Sequence, residues 1–122
     1  MNRMIPQKTS KAIVIFITAA SSNEAKKIGH ILIEENLIAC CNIVQSVESI
    51  FRWQGKLHSE QEVLMLCKTR EELFGTIEKR IRQLHSYEVP EIIAMPITQG
   101  SEDYLNWIVK ETTKPDQETR DK

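Results

Sequence analysis

Between Ala39 and Thr69 the chain reads as a long ribbon folded once, at Trp53-Gln54-Gly55-Lys56. Upstream of the fold, Val47, Ser49, Phe51 and Trp53 share one face of an extended chain, with Glu48, Ile50 and Arg52 on the other. Downstream, Val63, Met65 and Cys67 alternate with Leu64, Leu66 and Lys68. This period of two, with no proline in either arm, predicts an uninterrupted β-hairpin. Gly55 can take the positive φ that a two-residue hairpin loop demands. Each arm is nearly fifteen residues long, about 50 Å at ~3.3 Å per residue, against about five or six residues for an ordinary strand. A chain of 122 residues forms one compact domain, so much of the ribbon projects beyond its own core. Its apolar side chains need cover, and the cheapest supply is a second copy of the chain. The hairpin thus predicts an oligomer before anything predicts an activity.

Around it the remaining elements fall into a simple order. Lys11 to Thr18 is a β-branched run typical of a strand buried on both faces. Ser21 and Glu24 stand at capping-box spacing, followed by a helical stripe of Ala25, Ile28, Leu32 and Ile33 reaching about Asn36. Thr69 and Glu72 repeat the capping-box spacing before a second stripe of Leu73, Phe74, Ile77, Ile81 and Leu84. His85 to Pro90 ends that helix. Glu91 to Ile97 is a short strand in which Pro96 forbids one ladder hydrogen bond and so marks a sheet edge or a bulge. Gly100-Ser101 opens a last helix that docks through Tyr104, Leu105 and Ile108. The order βαββαβ with right-handed crossovers predicts an α+β, ferredoxin-like antiparallel sheet with both main helices on one face and an extra C-terminal helix. Residues 1–10 and 112–122 are polar and expected to be disordered tails around a domain of residues 11–111.

Bulk properties exclude several partners. Sixteen basic and seventeen acidic residues leave a net charge of -1, so no broad attraction to nucleic acid or anionic lipid is built in. No apolar run approaches the ~20 residues of a membrane span, and Met1 to Ser10 lacks the apolar core of a signal peptide. Three cysteines, two of them adjacent, suit reduced thiols in a cytoplasm better than a disulfide framework. A phosphate-binding loop, a nucleophile elbow and an H-E-x-x-H pair are all missing, so no enzyme class is indicated.

The candidate chemistry is sparse. His85, Tyr87 and Glu91 gather at a helix-to-strand junction where a metal or small ligand could bind. The plainer alternative is a helix end whose histidine meets the last carbonyls, and the spacing favours it. Lys68, with Glu62 on its face, can bind an anion or form an ion pair. Trp53 beside the turn and Trp107 in the last helix are large apolar groups suited to a core or an interface, and less so to ligand stacking. Cys40 and Cys41 point to opposite faces of a strand and so cannot share one ion; they read, like Cys67, as small buried apolar residues.

Taken together these stretches resemble the CutA family of divalent-cation tolerance proteins, over roughly Ala12 to Lys110. The resemblance rests on Leu37-Ile-Ala-Cys-Cys-Asn42, Phe51-Arg-Trp-Gln-Gly-Lys56, Glu62-Val63 with Met65 and Lys68-Thr69, His85-Ser-Tyr-Glu-Val-Pro-Glu91, and Tyr104-Leu-Asn-Trp-Ile108. It implies a cytoplasmic homotrimer whose long hairpins pair between subunits, a shape similar to trimeric PII signalling proteins, and a link to copper and other divalent ions. Where some members carry a cysteine late in the first strand and two consecutive histidines before the Tyr-x-x-Pro-Glu stretch, this chain has Ile17, Leu84 and His85. Of three family copper ligands only His85 is present. The resemblance thus implies a non-enzymatic trimer taking Cu2+, another divalent cation or a small ligand in intersubunit clefts lined by Trp53, Lys68, Tyr87, Glu91 and Trp107. The alternative is a PII-like signalling or scaffolding module acting through a protein partner.

Overall fold

The computed structural model describes residues 11–115; the expected tail at 1–10 and residues 116–122 of the one expected at 112–122 lie outside these. Eight elements follow in order: β1 (Ala12–Ala19), α1 (Ser22–Glu34), β2 (Cys40–Trp53), β3 (Lys56–Arg70), a 3-10 turn (Glu71–Leu73), α2 (Phe74–Leu84), β4 (Ile92–Pro96) and α3 (Glu102–Glu111). The strands form one antiparallel sheet in the order β2-β3-β1-β4. Ile13, Ile15 and Ile17 of β1 and Val63, Met65 and Cys67 of β3 bury one face of this sheet. They do so against Ala25, Ile28 and Leu32 of α1 and Ile77 and Ile81 of α2. The expected ferredoxin-like arrangement is therefore the observed one.

Local chemistry sets the ends of α1. Ser21 Oγ accepts the Glu24 N–H at 3.1 Å, and Glu24 Oε1 reaches back to the Ala20 N–H at 3.2 Å. At the other end Asn36 takes φ 60, and the N–H groups of Asn36 and Leu37 fold back on the carbonyls of Ile33 and Leu32. That is the left-handed ending that stops a helix. Thr69 behaves differently from its expected capping role. It is still inside β3, opposite Ile13 and facing the core, so its hydroxyl donates to the Leu37 carbonyl at 2.6 Å instead. The 3-10 turn and α2 begin without any side-chain cap.

The ribbon turns at Gln54 (φ 53) and Gly55 (φ 79), the paired positive angles of a type I′ hairpin turn. Its arms are as long as expected but not uninterrupted. Val44 pairs with Leu64 and Val47 with Glu62, so β2 carries one extra residue, with Ser46 at φ 64. Before this bulge Cys41 and Ile43 face the helices. Beyond it the parity flips, and Phe51 and Trp53 stand on the opposite, open face. Strand β1 stops opposite Val63. The seven rungs from Val47–Glu62 to Trp53–Lys56 are therefore two-stranded among the described residues, about 20 Å of ribbon.

The open face carries Val14, Phe16, Val44, Leu64, Leu66, Ile93 and Met95. Helix α3 closes one end of it. Arg70 donates from Nε to Thr112 Oγ1 and from Nη2 to the Thr112 carbonyl, both at 2.9 Å. Thr112, expected to begin a tail, is 3% exposed, and its hydroxyl also donates to the Ile108 carbonyl at 2.8 Å. At the far edge, Ile97 N–H bonds the Ala12 carbonyl at 3.0 Å. In an alternating antiparallel ladder the missing N–H of Pro96 then points away from β1, so the proline costs the sheet no bond.

Thr69→Val keeps the volume of this buried side chain but strands the Leu37 carbonyl. It should lower the unfolding free energy in urea by about 1–3 kcal/mol; a change under about 0.5 kcal/mol would refute the buried tie.

Candidate functional site

The His85–Glu91 segment crosses the end of β1 where β3 leaves the sheet. His85 caps α2 with its N–H on the Ile81 carbonyl at 2.8 Å and turns into extended backbone (φ -82, ψ 145), which swings its ring inward until the side chain is fully buried. The Tyr87 N–H donates to Nδ1 at 3.0 Å, and Nε2 lies 2.7 Å from the Thr18 carbonyl. A backbone N–H can only donate and a carbonyl can only accept, so Nδ1 is the acceptor and Nε2 the donor of this ring. The plainer reading of this histidine is correct in kind: it meets backbone groups. Its carbonyl partner belongs to β1 rather than to its own helix.

Three carboxylates surround this ring and its neighbour. Glu24 accepts the Ser86 N–H at 2.7 Å and the Ser86 hydroxyl at 3.1 Å, so the residue that helps cap α1 also ties down the loop after α2. Burial raises the Glu24 carboxyl, but the Ser86 and Ala20 hydrogen bonds outweigh it and hold the group below the ordinary 4.5. The Tyr87 hydroxyl donates to Glu62 Oε2 at 2.6 Å. Burial, together with the hydrogen bond to Glu62 and the negative charges of Glu62, Glu24 and Glu60, pushes this phenol well above its usual value. Glu91 is raised by desolvation and by the charge of Glu62. Glu62 itself is 8% exposed, and its pairing with Tyr87 replaces the expected partner Lys68, which lies six residues away along β3.

The six candidate residues occupy three places within one chain. His85, Tyr87 and Glu91 come together with Glu24 and Glu62. Lys68 lies at the base of the ribbon, where its ammonium contacts Asn42 Oδ1 and lies 3.9 Å from Cys40 Sγ. Burial and the neighbouring Cys40 thiol raise the Tyr104 phenol, and Trp107 packs on Tyr104 with ring centroids 5.4 Å apart. Among the described residues Trp53 stands apart from the other candidates, at the tip. A cavity of about 410 Å³ lies elsewhere, among Glu34, Glu35, Asn36, Leu37 and Thr76, and none of the six lines it. Glu24 and Ser86, 62 residues apart, form a contact that no sequence spacing announces.

A metal ion does not fit the His85 position as it stands. Both ring nitrogens are spent on backbone groups, and among the described residues no three His, Cys, Asp or Glu side chains converge as a ligand set. Ile17 and Leu84 supply none of the missing donors.

The model of the CutA1 divalent ion tolerance protein family matches residues 13–111. The chain belongs to this family. A chloroplastic CutA protein of Arabidopsis thaliana is 40% identical over 105 residues, covering 86% of this chain and 58% of that protein. The divalent-cation tolerance protein CutA of Thermus thermophilus is 44% identical over 99 residues, 81% of this chain and 96% of its own. A solved structure of a Thermus thermophilus divalent cation tolerance protein superposes with a TM-score of 0.82 at 43% identity, covering 84% of this chain and 99% of that one. This CutA1 family member thus spans little more than half the length of its plant relative and nearly all of its bacterial one.

Because the folded-state pKa of Glu24 is depressed, its stabilising effect is fully present above about pH 4.5 and is lost as pH falls through the folded value. Between about pH 5 and pH 3 the wild type should therefore lose more unfolding free energy than Glu24→Gln; parallel curves would show that the Ser86 contacts contribute nothing.

Proposed function

We propose that this CutA1 family member works as a cytoplasmic homotrimer that supports tolerance of divalent ions, copper among them, by binding ions or small ligands between subunits without catalysing a reaction. The observation that carries this reading is the uncovered outer ribbon. An isolated two-stranded ribbon is only marginally stable in water, yet here Ile50 and Leu57 are 71% and 66% exposed and the open face presents Val44, Ile93 and Met95. Beyond Val63 both edges of the ribbon lack an intrachain neighbour among the described residues, and the two edges belong to different strands. Pairing the β2 edge of one copy with the β3 edge of the next is a heterologous contact, and such contacts form a ring when the rotation between copies closes. Assembly of this kind lets Trp53 at one copy's tip approach the candidate residues of another. No helix among the described residues is long and apolar enough to cross a membrane.

Among the candidates, Glu91 beside Glu62 offers the charge that a divalent cation would offset, whereas His85 has no nitrogen to give. Sedimentation analysis should find three copies, and Ile50→Asp with Leu57→Asp should shift the species to monomer; a wild-type monomer at micromolar concentration would sink the assembly. Calorimetric titration with Cu2+ and Zn2+ should give heat that Glu91→Gln reduces several-fold, and no heat at sub-millimolar ion overturns direct binding.

A further inference from the structure

Cys41 and Cys67 stand directly opposite each other on β2 and β3 and face the helices. The type of cross-strand pair follows from their neighbours. The Glu71 N–H bonds the Lys11 carbonyl at 2.8 Å, one step beyond the Ala12–Arg70 pair. Alternation along an antiparallel ladder then makes Ile13–Thr69 and Ile15–Cys67 hydrogen-bonded pairs. Cys67 thus spends both backbone groups on β1 and has none left for β2. Cys41–Cys67 is a non-hydrogen-bonded pair, in which Cα atoms approach to about 4.5 Å, inside the window of about 4.4–6.8 Å that a disulfide requires.

The surroundings suit such a bond. The two thiols are close enough that each shifts the other's ionisation. Cys41 lies under Gly29 of α1, where an added Cβ would come to 3.3 Å from Cys41 Sγ, so the missing side chain keeps space for that sulfur. The pair is unequal: Cys67 is fully buried while Cys41 is half-buried. The neighbouring Cys67, aided by Lys68, lowers the Cys41 thiol against the pull of desolvation, and Cys41 together with burial pushes Cys67 up. Cys40 faces the other side of the sheet, near Lys68 and Asn42.

We propose that Cys41 and Cys67 form a reversible oxidation site that hydrogen peroxide converts into a cross-strand disulfide. Cys41 releases its proton and the thiolate attacks a peroxide oxygen; the O–O bond breaks, the sulfur becomes a sulfenic acid, and the departing hydroxide takes up the released proton as the first water. The Cys67 sulfur then attacks the Cys41 sulfur. The S–S bond forms as the S–OH bond breaks, and the leaving hydroxide takes the Cys67 proton as a second water. In sum, two thiols and one peroxide give one disulfide and two waters, with two electrons passing from sulfur to peroxide. A dithiol reverses the change. The bond closes the chain on either side of the whole projecting ribbon and pins its base to the core. Reversible disulfides of this kind are characteristic of redox-sensing proteins in reducing compartments.

The test treats the full chain with hydrogen peroxide, blocks residual thiols under denaturing, non-reducing conditions and measures intact mass. One blockable thiol, at Cys40, should remain of three, with a mass 2 Da lower before blocking and a peptide joining Cys41 to Cys67. Dithiothreitol should restore all three thiols, and Cys40→Ser should leave the cross-link intact. Cys41→Ser should abolish it without touching the buried Cys67. A sulfinic adduct on Cys41 with Cys67 still blockable, or cross-linking only between chains through Cys40, would overturn the proposal.

Discussion

Antiparallel pairing between β1 and β3 stops at Ala19–Val63, seven residues before β3 reaches the turn. Everything distinctive about the molecule follows from that mismatch in strand length. Up to Val63 the sheet is four strands wide and one face is sealed by α1 and α2. Past it the same strand continues with a single neighbour. The bulge at Gln45-Ser46 falls at this boundary. It adds local twist and moves the odd-numbered side chains of β2 from the helix side to the open side, so Phe51 stacks on His58 in the projecting part. An unbulged strand would have left Phe51 and Trp53 on the opposite face.

The same boundary is where polar groups collect. The Thr18 carbonyl points to the β4 side, past the last β1–β4 pair at Ile17–Ile92; it and the buried carboxylate of Glu62 would lack partners, and burying such groups without hydrogen bonds is costly. The loop after α2 fills the gap: His85 serves Thr18, Tyr87 serves Glu62 and Ser86 serves Glu24. Glu24 thereby links the first turn of α1 to a segment from the other half of the chain. The histidine at this junction acts as a structural crossbar between two backbone segments, and the carboxylates carry whatever cation chemistry the region has.

Much of the fold was legible because its signals are periodic or local. The β-branched run of Ala12–Ala19, the helical stripes of α1 and α2, the Ser21–Glu24 cap and the Gln54-Gly55 turn each depend on residues close in sequence. The misreadings have one cause in common. Thr69 matched a capping pattern, but its partner is Leu37, 32 residues away. Glu62 was matched with Lys68 on shared parity, but a tyrosine from a distant loop reached it first. The bulge escaped notice because either side of it alternates faultlessly, and only pairing with β3 exposes the extra residue. The sequence offers the candidate residues only one by one. Their division among tip, boundary and base depends on tertiary distances that spacing does not encode.

Proline at position 96 bears on which edge of the sheet another strand can join. Along β4 the outward-pointing positions are those not bonded to β1, namely Ile92, Ala94 and Pro96, and the last has no hydrogen to offer. An incoming strand would find two amide donors on that edge, too few to register against. A sheet with one blunted side and a projecting ribbon can add neighbours only through the ribbon. Strand addition at the β4 edge is thereby blocked, and the exposed apolar length of the hairpin is the surface left open to pairing.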